Sequence, residues 1–213
     1  MRLLLTGFEP FAGDTRNPSA DLVAAIAAAP PPDLTLATAI LPVAFARLDA
    51  ALDAAIAAAA PDVVLALGLA GGRTELSVER VAVNLDDARI ADNDGDQPLD
   101  RPVVAGGPAA YFASVPVKAM VAAMREAGAP AQVSHTAGTF ACNHAFFRAA
   151  HLAATSRPGM RAGFIHLPYL PQQAAAHRNA PSMALATMLA GLRAAIAALP
   201  ATADLRVAEG AIS

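Results

Sequence analysis

Tryptophan is absent from this chain of 213 residues, cysteine occurs once, and charged side chains make up only 15%. Each shortage excludes something. A lone cysteine, Cys142, rules out an internal disulfide and any zinc site built from thiolates, and it fits a reducing compartment. Lys and Arg number 15 against 18 Asp and Glu, for a formal net charge of -3. There is no basic excess to draw nucleic acid or an anionic membrane surface. No stretch reaches the ~18 uninterrupted apolar residues of a membrane span, because Pro, Asp and Arg break the alanine-rich segments. The first apolar run, Leu3-Leu4-Leu5, is too short for a signal peptide. The expectation is a cytoplasmic protein with no membrane contact.

What is present is a chain long enough for one large core, so a single domain over residues 1–213 is expected. Hydrophobic residues make up 55%, much of it alanine that fills helices rather than packing bulk, so the eight phenylalanines carry information. Arg2–Thr6 reads as a short, nearly continuous apolar strand, as in a parallel sheet covered on both faces. Residues 7–13 then read as an irregular loop carrying Phe8 and Phe11. Open α/β sheets hold ligands at the carboxyl ends of strands, so these rings either line a pocket or plug the loop onto the domain. A helix is expected from Pro18 or Ser19 to Ala29, with Asn17 or Ser19 as its cap.

Further strands are expected at Leu34–Ile40, Val63–Leu67, Glu75–Asn84, Ala131–Ser134 and Arg161–His166. Helical spacing marks Phe45 to about Ala60, Pro108–Ala127 with a break at Pro116, Cys142 or Asn143 to about Ala154, and Pro181 or Ser182 to Leu199. The alternation predicts a three-layer α/β/α fold: an open, twisted, mixed but mostly parallel sheet flanked by helices. Two tempting motifs fail. Residues 68–72 are rich in glycine but do not match the dinucleotide fingerprint, and no helical pattern follows. Asp92-Asn93-Asp94-Gly95-Asp96 is not a calcium loop, since the glycine is misplaced and no Glu closes it. Leu85 to Gly107 is then an ordered excursion that covers a site or packs on another subunit. His144 and His151 share a helix face without a third ligand, so no metal or cofactor is expected.

Cys142 stands where Gly138-Thr139-Phe140-Ala141 gives way to a helical pattern. The first turn of a helix offers unpaired N–H groups and partial positive charge, which suit a nucleophile; a free cysteine can equally be a small buried hydrophobe. A thiol attacks a carbonyl only as thiolate or with a base in reach. Of the five histidines, His166 alone follows a β-rich run and ends a strand. Were strands 131–134 and 163–166 parallel neighbours, Cys142 and His166 would open on one edge of the sheet. Glu79, read as sharing one strand face with Val81 and Val83, is the best-placed carboxylate to orient that imidazole, with Asp86 and Asp87 next. It could equally lie on an exposed edge or in a structural ion pair. Arg89 can supply a donor to an oxyanion beside backbone N–H groups at and before Cys142, or merely neutralise nearby aspartates. The chemistry would be acyl transfer through a thioester.

The whole chain resembles the type I pyroglutamyl peptidases (pyrrolidone carboxyl peptidases), a family of cysteine peptidases. The resemblance is carried by Leu4-Leu5-Thr6-Gly7-Phe8-Glu9-Pro10-Phe11 with Asn17-Pro18-Ser19, and by Glu79-Arg80-Val81-Ala82-Val83-Asn84. It continues through Asp87-Ala88-Arg89-Ile90, Asp92-Asn93 and Gln97-Pro98. Ser134 to Asn143 and Gly163-Phe164-Ile165-His166 with Pro168 complete it. It implies Cys142 as nucleophile, His166 as general base and acid, and Glu79 as the orienting carboxylate. Arg89 would support the oxyanion, Phe8, Phe11 and Phe140 would surround a lactam ring, and Asn17 would be a polar position of the opening loop. The implied activity is removal of an N-terminal pyroglutamate (5-oxoproline) from peptides, without a cofactor, by a dimer or homotetramer. The excursion and the Tyr169-Leu170 segment are the candidate subunit contacts. Ala141 and Leu69 depart from the family pattern, which leaves a related cysteine amidase or acyl transferase for another small acyl group as the alternative.

Overall fold

The computed structural model describes residues 1–209. β1 (Arg2–Phe8) runs two residues beyond the apolar stretch read as a strand, so Phe8 ends a strand rather than sitting in a loop. α1 (Pro18–Ala28) starts where expected, with Pro18 in its first turn and Asn17 Oδ1 accepting from Ser19 N at 3.1 Å. β2 (Thr35–Leu41), α2 (Phe45–Ala59) and β3 (Val63–Leu69) follow the expected alternation. The chain then reverses through residues 70–75, so β4 (Leu76–Glu79) runs against β3, and β8 (Arg161–Leu167) occupies the gap between them. β7 (Ala131–Ser134) and α4 (Ala141–Thr155) form the nucleophile segment's flanks, and α6 (Leu185–Ala198) closes the described helices after a single turn, α5 (Pro171–Ala174).

The sheet order is β2-β1-β3-β8-β4-β7. Every pairing is parallel except β4 with β8. Strand periodicity divides the side chains between two cores. Leu3, Leu5, Leu65, Leu67, Val78 and Ile165 face one core with α1 and α6. Leu4, Phe8, Val64, Ala66 and Phe164 face the other, with α2 and α4. This is the three-layer α/β/α arrangement. By the same alternation Gly68, Ser77, Glu79 and His166 all fall on the α4 side of the sheet.

Three expectations need correction. The stretch 75–84 is not one strand: it leaves the main sheet at Arg80, and β5 (Val81–Val83) pairs instead with β6 (Ala110–Phe112). Glu79 therefore does not share a face with Val81 and Val83. The first half of 108–127 is not helical; it supplies β6, and only α3 (Val117–Glu126) follows Pro116. Strands 131–134 and 163–166 are not parallel neighbours, since β4 lies between them and pairs antiparallel with β8. The alignment that matters is set by β4 itself. Ser77 pairs with His166, and Glu79, two residues on, pairs with Ser134, where the chain leaves β7 for the nucleophile segment.

Candidate active site

Glu79 ends β4 with no solvent exposure, and a carboxylate there needs partners. It has two. Its Oε1 lies 2.7 Å from His166 Nδ1 and 2.9 Å from Arg73 Nη1. A carboxylate only accepts, so Nδ1 carries the proton and Nε2 is the free, basic nitrogen. Arg73 is itself fixed from the other side, donating through Nη2 to the carbonyl of Thr136 at 3.0 Å. Sequence reasoning missed Arg73. The signal was available: a carboxylate buried in a strand calls for a cation, and Arg73 sits in the turn that delivers the strand. Asp86, read as an alternative partner for His166, instead binds His144, while Asp87 is exposed on the cavity wall.

Cys142 is the second residue of α4, whose cap residue Phe140 makes no side-chain hydrogen bond. Helix geometry leaves the N–H groups of the first turn without internal partners, and among the described residues no side chain takes one up. The thiol packs against β3: a Cβ on Gly68 would meet Sγ at 2.7 Å and Phe164 Cζ at 2.8 Å. In this apolar setting burial pushes the thiol up to about 12; the nearby Glu79 charge adds to that shift and Arg73 opposes it. Burial also lowers His166, against the hydrogen bond to Glu79. At neutral pH the resting pair is thus thiol and neutral imidazole, and proton transfer must accompany attack.

Cys142 and His166 line one cavity of about 540 Å³, together with Phe11, Phe140, Leu69, Arg73, Asp87 and Arg89. Beside it a narrow recess is walled by Phe8, Phe11, Asn17, Val43, Leu69, Phe140, Ala141 and Cys142. Phe11 and Phe140 meet at 6.1 Å between ring centroids, and Phe45 braces Phe140 edge-on at 5.4 Å. Phe8 is buried against Phe164 at 6.5 Å, so it is both core and recess wall. Asn17 reaches the recess, but its side chain already caps α1 and donates to Glu9 O at 3.0 Å. Tyr169-Leu170 does not offer the apolar surface expected of it. Leu170 is in the core, and Tyr169 covers Gly71, lines the cavity and stacks on His177 at 4.7 Å.

An α/β/α sheet that brings a thiol and a neutral imidazole to one cavity, with a buried carboxylate bonded behind the imidazole, has the layout of a cysteine hydrolase. A family model described as "Pyroglutamyl peptidase" matches residues 1–201. The chain is 54% identical over 213 residues to the pyrrolidone-carboxylate peptidase of Streptomyces coelicolor, covering 99% of this chain and 98% of that one. It is 53% identical to that of Escherichia fergusonii, covering 98% of each. The crystal structure of pyroglutamyl peptidase I from Bacillus amyloliquefaciens superposes with a TM-score of 0.91 at 40% identity, covering 96% of this chain and 99% of that one. The chain belongs to the pyroglutamyl peptidase family of hydrolases.

Proposed function

We propose that the chain hydrolyses the peptide bond after an N-terminal pyroglutamate, with Cys142 as nucleophile, His166 as base and acid, and Glu79 as orienting carboxylate. The observation that carries this reading is the 2.7 Å bond from His166 Nδ1 to the buried Glu79, which leaves Nε2 free in the cavity that Cys142 lines. The Cys142 sulfur attacks the pyroglutamyl carbonyl carbon as its proton passes to Nε2. The oxyanion draws on N–H groups of the first turn of α4, with Arg89 as a further donor. Collapse breaks the C–N bond, and the imidazolium protonates the departing amine. Water, deprotonated by His166, then cleaves the thioester and frees pyroglutamate and the thiol. Phe11 and Phe140 on the wall of the cavity of about 540 Å³ suit a small uncharged ring. Such a residue brings no ammonium group and so asks for no carboxylate beside it.

The same reading takes the protein as a single cytoplasmic domain that assembles as a dimer or homotetramer. Among the described residues no helix is long and apolar enough to cross a membrane. Leu99, in the 85–107 excursion, is 71% exposed and Phe112, on β6, is 74% exposed, as apolar contact residues of a subunit interface would be in the separate chain. Light scattering measures the assembly. The activity is tested by hydrolysis of a pyroglutamyl amide. Cys142→Ser and His166→Ala should each lose roughly 10³-fold or more in kcat. Equal rates in the wild type and both variants would overturn the assignment.

A further inference from the structure

His144 stands two residues past Cys142 but outside the cavity lining, with 5% of its surface exposed. Carboxylates hold its ring at both nitrogens. Nδ1 lies 3.0 and 2.9 Å from the two oxygens of Asp86, and Nε2 lies 3.0 Å from Asp49 Oδ1. Ionised carboxylates only accept, so both nitrogens donate and the ring is an imidazolium. Phe45 covers it edge-on at 5.6 Å between centroids. The other charges around it belong to its partners: Arg101 is 3.9 Å from Asp86, and Arg148 is 3.7 Å from Asp49. The reaction gives this cation no task, yet a charged group enclosed in this way is costly unless its partners are held in place.

Its partner supplies a reason. Asp86 immediately precedes Asp87 and stands three residues before Arg89, both of which line the catalytic cavity. The same stretch is tied to the nucleophile segment at neighbouring points. Asp87 N donates to Thr139 O at 3.0 Å, and Thr139 Oγ1 donates to Asp87 O at 2.8 Å. Asn143 Nδ2 donates to Val83 O and Leu85 O at 2.9 and 3.0 Å, and Asn143 Oδ1 accepts from Val83 N at 2.9 Å. His144–Asp86 is the charged member of this seam.

We propose that His144 is a positioning residue: its ring, on α4, ties Asp86 to Asp49 of α2 and so sets where Asp87 and Arg89 stand in the cavity that holds the Cys142 thiol. This rests on the reading of that cavity as the active site. Burial works against the charge on the ring, but the hydrogen bonds to Asp49 and Asp86 outweigh it and raise the ring to about 9. The clamp is closed at neutral pH and opens above that value.

The test is a double-mutant cycle read on hydrolysis of a pyroglutamyl amide and on alkylation of Cys142 by iodoacetamide. His144→Gln and Asp86→Asn should each lower kcat/KM by roughly 10- to 100-fold, the scale of a displaced wall, while the alkylation rate stays near that of the wild type. The double variant should be no worse than either single one, because both act through one pair. Wild-type kcat/KM in folded His144→Gln, or losses that simply add, would overturn the proposal. Asp49→Asn covers the case in which His144→Gln does not fold. It removes one of the two charges that raise the ring, so the alkaline fall of kcat/KM should move to lower pH; an unmoved fall would count against the clamp. Ring-labelled histidine NMR tests the clamp even if the activity reading fails. One imidazole should remain protonated well above the ordinary histidine value and should be missing in His144→Gln. Ordinary titration of that ring would sink the proposal.

Discussion

Arg73 Nη1 lies 2.9 Å from Glu79 Oε1, the same oxygen that accepts the hydrogen bond from His166 Nδ1. One buried carboxylate oxygen thus holds a cation on one side and the imidazole on the other. Arg73→Met keeps the length of the side chain and removes the charge. The burial of Glu79 then loses its main compensation, at a cost of about 2 kcal/mol, lower than for a fully enclosed pair because Arg73 is 23% exposed. His166 loses the fixed acceptor that orients it, so kcat should fall roughly 10- to 100-fold with KM changed far less. Urea unfolding and steady-state kinetics measure the two effects separately. A kcat equal to the wild type's would mean that Glu79 holds the ring without help.

The ionisation of the nucleophile has a definite sign. Burial and the Glu79 charge raise Cys142 to about 12, while burial lowers His166. Neutral thiol and neutral imidazole are therefore the resting species, rather than a thiolate–imidazolium pair. The ultraviolet thiolate absorbance, taken as wild type minus Cys142→Ser, should stay flat to about pH 9, above the ordinary thiol value. Alkylation by iodoacetamide should keep accelerating with pH over the same range. A thiolate signal already present at weakly acidic pH would show the opposite pairing.

Much of this site was legible because its residues carry local signals. Cys142 stood at a strand–loop–helix junction, His166 ended an apolar strand, and Glu79 was a carboxylate in a strand flanked by valines. The geometric route from those signals was wrong in one respect. Strands 131–134 and 163–166 were expected to run side by side, whereas β4 separates them and pairs antiparallel with β8. Strand order depends on contacts between residues far apart in the chain, which periodicity does not encode. The break at Arg80 escaped notice because a strand that changes sheets keeps its alternation. β6 was read as helix because it lies in a run of small residues whose strand pairing comes only from β5. Arg73 carries no such local signal: it sits in a glycine-rich turn outside any strand or helix, and its pairing with Glu79 exists only in three dimensions.

The charge on His144 should make stability depend on alkaline pH. Its ring is raised to about 9 in the folded protein against an ordinary value of 6.5. A group whose pKa is raised on folding contributes in full below its unfolded value and loses that contribution as pH rises through the folded value. The stabilisation should therefore be complete below 6.5 and disappear through about 9, amounting to about 3 kcal/mol at most. Thermal unfolding followed by circular dichroism across this window should show Tm falling in the wild type. The fall should be much smaller in His144→Gln. Equal slopes in the two proteins would place the pH dependence elsewhere.

Gly68 offers the sharpest separation of activity from stability. Its missing Cβ is space that Cys142 Sγ and Phe164 occupy, at 2.7 and 2.8 Å from where that atom would stand. Phe164 cannot yield easily, since it is buried against Phe8, Phe146 and His166 at centroid distances of 6.5, 6.0 and 4.7 Å. Nor can the backbone retreat freely, because Gly68 pairs with His166 across β3 and β8. Gly68→Ala should thus displace the sulfur, costing about 1–3 kcal/mol in stability. The accompanying loss in kcat/KM should be on the order of 10²-fold. Gly163→Ala is the matched control. Its Cβ would meet Val115 Cγ2 at 2.5 Å, in the opposite core from Cys142, so it should cost comparable stability while leaving the kinetics of the folded protein largely intact. Should both variants lose activity in proportion to their stability, the close approach at Gly68 would be a matter of packing and not of aim.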